Sequence, residues 1–198
     1  MKGLSAQRFL VGAAAVLLSS SALAVSSYPM GWYLGANAGS TDVSNVSYPG
    51  NTSTSGAGLS GNLGYKFMPY FATEFGYSYY ANSVIKNDQG TKAGTVKNYS
   101  YDIAGKGIWP IMDTGFELFG KLGAARVSAS TSINSQSAAN TLGLSQMSKS
   151  ATGLYFGGGA SYYMTPEFAL NVAWMRAAGN NQTGDLDLLT GGLEFIFG

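Results

Sequence analysis

The chain has 198 residues with 11 basic and 10 acidic side chains, and only 11% of it is charged, against about 25% in an ordinary soluble domain. It carries 28 glycines and 13% aromatic residues but no cysteine and no histidine. That excludes a disulfide scaffold and a basic nucleic-acid surface, and it removes the commonest general base. Lys2 and Arg8 precede an apolar run from Phe9 to Leu18, followed by Ser19, Ser20, Ser21 and Ala22-Leu23-Ala24. Residues 1–24 therefore read as a secretory signal peptide cleaved after Ala24, because the run is too short to cross a bilayer as a helix. Without Lys2 and Arg8, residues 25–198 hold 9 basic and 10 acidic side chains, about one net negative charge on one domain's worth of chain. No later stretch approaches the roughly 20 apolar residues of a spanning helix, so any spanning falls to strands.

Eight segments with strand alternation follow. Period-two patterning sends alternate side chains to opposite faces. The first, Trp32 to Gly39, sets Trp32, Leu34, Ala36 and Ala38 against Tyr33, Gly35, Asn37 and Gly39. The second, about Ser55 to Phe67, sets Leu59, Leu63, Tyr65 and Phe67 against Ser60, Asn62, Gly64 and Lys66. After a Met68-Pro69 turn, the third, Tyr70 to Tyr80, sets Phe71, Phe75, Tyr77 and Tyr79 against Ala72, Glu74, Gly76 and Ser78. The fourth, about Val96 to Trp109, sets Tyr99, Tyr101, Ile103 and Trp109 against Asn98, Ser100, Asp102 and Lys106, with Pro110 and Asp113 in its turn. The fifth, Phe116 to Val127, sets Leu118, Leu122 and Ala124 against Glu117, Phe119 and Lys121.

Segments six and seven form a hairpin around Met164-Thr165-Pro166. One face is Leu154, Phe156, Gly158, Ala160, Tyr162, Phe168, Leu170, Val172 and Trp174. The other includes Tyr155, Gly157, Gly159, Ser161, Glu167, Ala169 and Asn171. The eighth, about Leu186 to Phe197, sets Leu189, Leu193, Phe195 and Phe197 against Thr190, Gly192, Glu194 and Ile196, and its pairing with the first would close the sheet. Links alternate between long polar loops (40–54, 81–95, 128–149 and 179–185) and turns of a few residues. An even number of strands, short turns at one end, long loops at the other and aromatics near both ends predict an all-β, eight-stranded antiparallel up-and-down transmembrane β-barrel with its apolar set facing lipid. A soluble lipocalin-like barrel has the opposite polarity and does not explain the deficit of charge.

The runs GWYLGANAG, GLSGNLGYKFMPYFATEFGY, AGKGIWPI and FGGGASYYMTPEFALNVAW resemble the OmpA-like eight-stranded outer-membrane barrel over nearly all of the chain after the signal peptide. The resemblance implies a monomer in the bacterial outer membrane whose lumen is filled by a charge network. Glu74 and Lys106 match positions of that network, Lys121 also points inward, and two further charged positions of the family fall on Ser161 and Asn171, leaving half of the network neutral. The family's periplasmic peptidoglycan-binding domain is not expected in this barrel-only chain.

Alternation independently places Glu74 and Lys106 inward on adjacent strands. Eight strands enclose only enough room for side chains, and buried charges need partners. The expected lumen group is therefore Glu74 paired with Lys106, flanked by Asp102, Lys121, Tyr155 and Asn171. No cofactor, metal site or catalytic residue is predicted. Gly58-Leu59-Ser60-Gly61 resembles part of a nucleophile elbow but lacks a helix and a base. Asp185 with Asp187, and Glu117 with Asp102, read as solvated or lumen carboxylates because no calcium loop surrounds them. Partners are outer-membrane lipids and an extracellular or host ligand met by the long loops. The alternative is a small diffusion pore, drawn from the neutral Ser161 and Asn171.

Overall fold

The computed structural model describes residues 29–46, 51–87, 89–111 and 114–198; the predicted signal peptide lies outside them. The strands are β1 (Gly31–Ser44), β2 (Asn51–Ser53), β3 (Gly56–Met68), β4 (Phe71–Lys86), β5 (Lys92–Ile111), β6 (Phe116–Ile133), β7 (Met147–Tyr163), β8 (Phe168–Ala177) and β9 (Asp185–Phe197), with a short helix α1 (Gln136–Thr141) between β6 and β7. Successive strands pair antiparallel. Pairing of β1 with β9, from Trp32↔Phe197 to Ser44↔Asp185, closes the sheet on itself. Since β2 and β3 both lie against β4, they act as one interrupted strand, and the wall has eight staves. No described helix is long and apolar enough to cross a membrane, which leaves the crossing to the strands.

Closure without a core-facing partner sheet turns the usual burial rule inside out. Leu34, Leu63, Phe75, Ile103, Leu122, Leu154, Val172 and Leu193 are all exposed, whereas Glu74, Lys106 and Glu194 are 3–4% exposed. An outward apolar band of this extent needs lipid around it. Aromatics border the band at the short-turn end, where Trp32 meets Tyr65 edge-on at 5.2 Å and Phe168 packs on Phe195 at 4.8 Å. At the other end Tyr77, Tyr99 and Tyr101 form a cluster, and Phe156 meets Trp174.

The staves are longer than the alternation suggested. A bilayer requires about 9–11 residues per tilted strand. β5 has 20 and β6 has 18. The extra length lies in the flanks of the segments read as loops 81–95 and 128–149, which continue the ladder as far as Lys86↔Lys92 and Thr131↔Met147. Serine- and threonine-rich sequence reads as loop by composition, but it pairs readily when neighbouring strands offer a ladder.

Three further expectations are corrected. Pro110 belongs to β5, opposite Glu117, rather than to the turn. The N–H of Ile108, two residues earlier, points toward the β4 side and bonds to Tyr70 O at 2.9 Å, while β4 stops pairing at Phe71↔Gly107. The proline nitrogen thus faces an edge where no ladder bond is lost. Glu167 is an exposed turn residue, not part of the inner face. Finally, the stretch 128–149, read throughout as a long polar loop, holds α1, after which Leu142 and Leu144 pack onto Ile85, Val96 and Ala129.

Candidate functional site: the charged lumen and the capped mouth

Alternation delivers lysines and carboxylates from five strands into one narrow interior. Nearest the short turns, Lys66 of β3 donates to Glu117 Oε1 of β6 at 2.7 Å, and the Tyr163 hydroxyl donates to Glu117 Oε2 at 3.1 Å. Further in, Lys106 Nζ bridges two carboxylates, Glu74 at 3.3 Å and Glu194 at 3.0 Å. Lys121 is also ion-paired with Glu74. The Tyr33 hydroxyl donates to Glu74 Oε1 at 2.6 Å. Lys106 lies 4.8 Å from the Tyr33 ring centroid and 4.7 Å from that of Phe119, so aromatic faces stand where water would otherwise solvate the ammonium.

Of the six lumen residues expected, Glu74, Lys106 and Lys121 come together in this network. Asp102, Tyr155 and Asn171 line the small cavity on its long-loop side, which measures about 30 Å³. Asp102 makes no ion pair within 4.0 Å among the described residues. Ser161 and Asn171 face each other on β7 and β8, both buried. The charge absent from those two positions is supplied by Glu194, Glu117 and Lys66, which the sequence reading put on the inner face but left out of the network. Counting every inward charge, rather than only those at matching family positions, would have found them.

Above the cavity the lumen loses its charges, and apolar side chains pack among small polar ones such as Ser83, Asn98 and Ser100. Val43, Tyr80, Val127, Leu186 and Leu188 are 0–4% exposed. At the mouth, Ile85, Val96, Ala129 and Leu144 form part of a second pocket of about 270 Å³ whose rim includes Lys149, Asn181 and Gln182. Outside this end, Lys86, Lys92, Lys97 and Arg126 are exposed, and Arg176 holds Asp187 through Nε at 2.8 Å and Nη2 at 2.6 Å. Among the described residues no group of three or more Asp or Glu side chains is placed to hold a metal ion.

The family profile for the outer membrane protein beta-barrel domain matches residues 11–197. Comparison with curated protein sequences finds no match. Among solved structures, OprG of Pseudomonas aeruginosa aligns with a TM-score of 0.61 at 14% identity, over 85% of this chain and 98% of that one. Neisserial surface protein A aligns at 0.57 and 18%, over 84% and 97%. The attachment invasion locus protein Ail of Yersinia pestis, solved with the heparin analogue sucrose octasulfate, aligns at 0.53 and 17%, over 85% and 100%. At these identities the structural likeness speaks for the fold, and the profile match covers nearly the whole chain. The chain therefore belongs to the outer membrane protein beta-barrel family, and its place is the bacterial outer membrane.

Proposed function

We propose that this protein is a closed, non-enzymatic barrel that contributes structure to the outer membrane and makes contacts outside the cell through its extended long-loop end. The observation that carries the reading is the lumen. Ion-paired Lys66, Lys106 and Lys121 fill it, and the cavity beyond them, about 30 Å³, has room for a water or two rather than a column. Single-channel recording in planar bilayers tests this directly. Wild-type protein should be silent, with conductance appearing in Lys106→Ala; long-lived wild-type openings would establish the small pore instead.

The contact role rests on the outer end, which raises Lys86, Lys92, Lys97 and Arg126 beyond the apolar band. Such a surface suits anionic groups such as sulfated glycans, the chemistry represented by the ligand in the Ail structure. Proteoliposomes should adhere to a heparin-coated surface in a salt-dependent way and lose adhesion in Lys97→Glu/Arg126→Glu. Equal adhesion by that double variant would remove the proposed contact.

A further inference from the structure

The outer face of the wall carries opposite charges on opposite sides. The β9–β1 seam and the β5–β6 seam are separated by the same number of staves in either direction around the closed sheet, so they are diametrically opposed. On the outside of the first seam stand Asp42, Asp185 and Asp187, with Arg176 of β8 bonded to Asp187. Asp42 and Asp187 are direct cross-strand partners, and like charges so placed destabilise a sheet unless cations lie near. Arg176 serves Asp187, whereas Asp42 is exposed and receives only the hydroxyls of Thr54 and Ser55 among the described residues. On the outside of the opposite seam, Lys97 of β5 and Arg126 of β6 are exposed, and neither is ion-paired among the described residues.

The register fixes the heights of these groups. Following paired residues from Asp42 to Asp187, Arg176, Phe156 and Leu122, and on around the wall, leads back to β1 at Trp32, ten residues nearer the short turns. Leu122 is three of the eight steps from Asp187, over which the ladder descends by about four residues. Arg126, four residues above Leu122 on the same face, is therefore level with Asp187. Six residues below Asp187 is Leu193, and six below Arg126 is Gly120, so these two are level as well. Leu193 is half-exposed and stands out beside Ala36 and Gly191. Gly120 pairs with Gly107, and together they open a hollow in the outer wall beside Trp109 and Leu118. A Cβ at either glycine would meet nothing closer than 3.8 Å, so packing within the wall does not demand glycine there.

One flank thus presents cations above a hollow, and the flank opposite presents carboxylates above a leucine at matching heights. Copies of a barrel insert in the same direction, so a neighbour displaced sideways without rotation sets these two flanks against each other. We infer that copies of this protein associate laterally in the membrane, with Arg126 and Lys97 of one facing Asp42 and Asp187 of the next and Leu193 entering the Gly107–Gly120 hollow. The contact is heterologous, and because its two flanks are opposed it propagates into straight rows instead of closing into a ring. Glycine lets the walls approach closely, and each contact brings Asp42 a cation. A lipid phosphate would suit Arg126 but not the carboxylates opposite, whereas a second copy suits both. The inference goes beyond the proposed loop contacts and does not depend on the lumen.

The chain has no cysteine, so a pair can be introduced cleanly. Ala38 of β1 and Ala124 of β6 are exposed, small and just below the charged level. In liposomes, oxidised Ala38→Cys/Ala124→Cys should give a ladder of disulfide-linked dimers, trimers and higher species, while either single-cysteine protein stays monomeric. In the two-cysteine background, Asp42→Lys and Arg126→Asp should each lose the ladder, and mixing the two should restore cross-links between them, a rescue that misfolding cannot produce. A two-cysteine protein that stays monomeric overturns the inference. So does a dimer of either single-cysteine protein, which marks a two-fold contact, or a ladder unchanged in Arg126→Asp, which marks crowding. Asp42→Lys should adhere to heparin like wild type, so failure of the rows and failure of the proposed surface contact are read separately.

Discussion

The two ends of this barrel solve the same problem with opposite chemistry. Within the apolar band, the inner positions are Lys66, Glu74, Lys106, Glu117 and Glu194 and the outer positions are Leu63, Phe75, Ile103 and Leu122. Beyond the band, Val43, Val127, Leu186, Ile85 and Val96 face inward among small uncharged polar side chains such as Ser83, Asn98 and Ser100, and the outer positions include Asn82, Lys97 and Arg126. The wall is continuous, yet the charge on its inner face and the apolar character of its outer face both give way along its length. Surroundings decide which face is apolar at each height. Lipid rewards an apolar exterior, leaving the interior to polar side chains that must pair. Where the staves rise into water, the interior becomes the only place to hide apolar surface, as in a soluble barrel.

The sharpest way to break this comparison is to remove the lysine on which the polar half depends. Lys106→Ala leaves Glu194 without its cation and Glu74 with only Lys121, and it should cost about 3–5 kcal/mol in denaturant unfolding. An unchanged midpoint would mean that the charges are individually solvated and that the two ends do not differ as described. Next in size, Leu122→Arg places a cation in the lipid-facing band and should cost roughly 2–4 kcal/mol for folding into bilayers. The matching change beyond the band, Asn82→Arg, should stay within about 0.5 kcal/mol, as exposed substitutions generally do. Equal penalties for the two would erase the proposed boundary between lipid and water.

Ile85→Val trims one methylene from the apolar mouth and should cost about 0.5–1.5 kcal/mol. It should also speed proteolysis of the segment from α1 to Leu144, which packs on that residue, without opening a conductance. The smallest effect is expected at Arg176→Ala. That pair with Asp187 is outward and partly solvated, so about 0.2–1 kcal/mol, diminishing with salt, is the range to look for.

Much of this architecture can be read from alternation. The phases of β1, β3, β5, β7 and β8 place Tyr33, Lys66, Lys106, Tyr155 and Asn171 inward without reference to any contact. In β4 the phase holds from Phe71 to Tyr80 and then breaks. A register irregularity between Tyr80 and Ser83 inserts an extra residue, so Ala81, Ser83 and Ile85 face inward although the parity of Phe71 and Phe75 would send them outward. Such a bulge leaves no reliable mark on composition, because it is set by how two strands fit around a curved wall. The apolar mouth built on Ile85 was therefore invisible, and with it the role of Leu142 and Leu144.

The sequence by itself determined that the chain is a barrel of alternating strands with lipid outside, because period-two patterning, the scarcity of charge and the alternation of long and short links are local properties. It also determined which charges within the strands point inward, although it misplaced Glu167 of the β7–β8 turn. Only the tertiary structure decided who meets whom across the lumen. Lys106 reaches Glu194, 88 residues away, and Lys66 reaches Glu117, because the closure of β1 on β9 and the stagger of the strands set the heights at which side chains from opposite walls face each other. The same stagger leaves Asp102 beside Gly76 with no lysine of its own, a consequence of curvature and register that no spacing along the chain expresses.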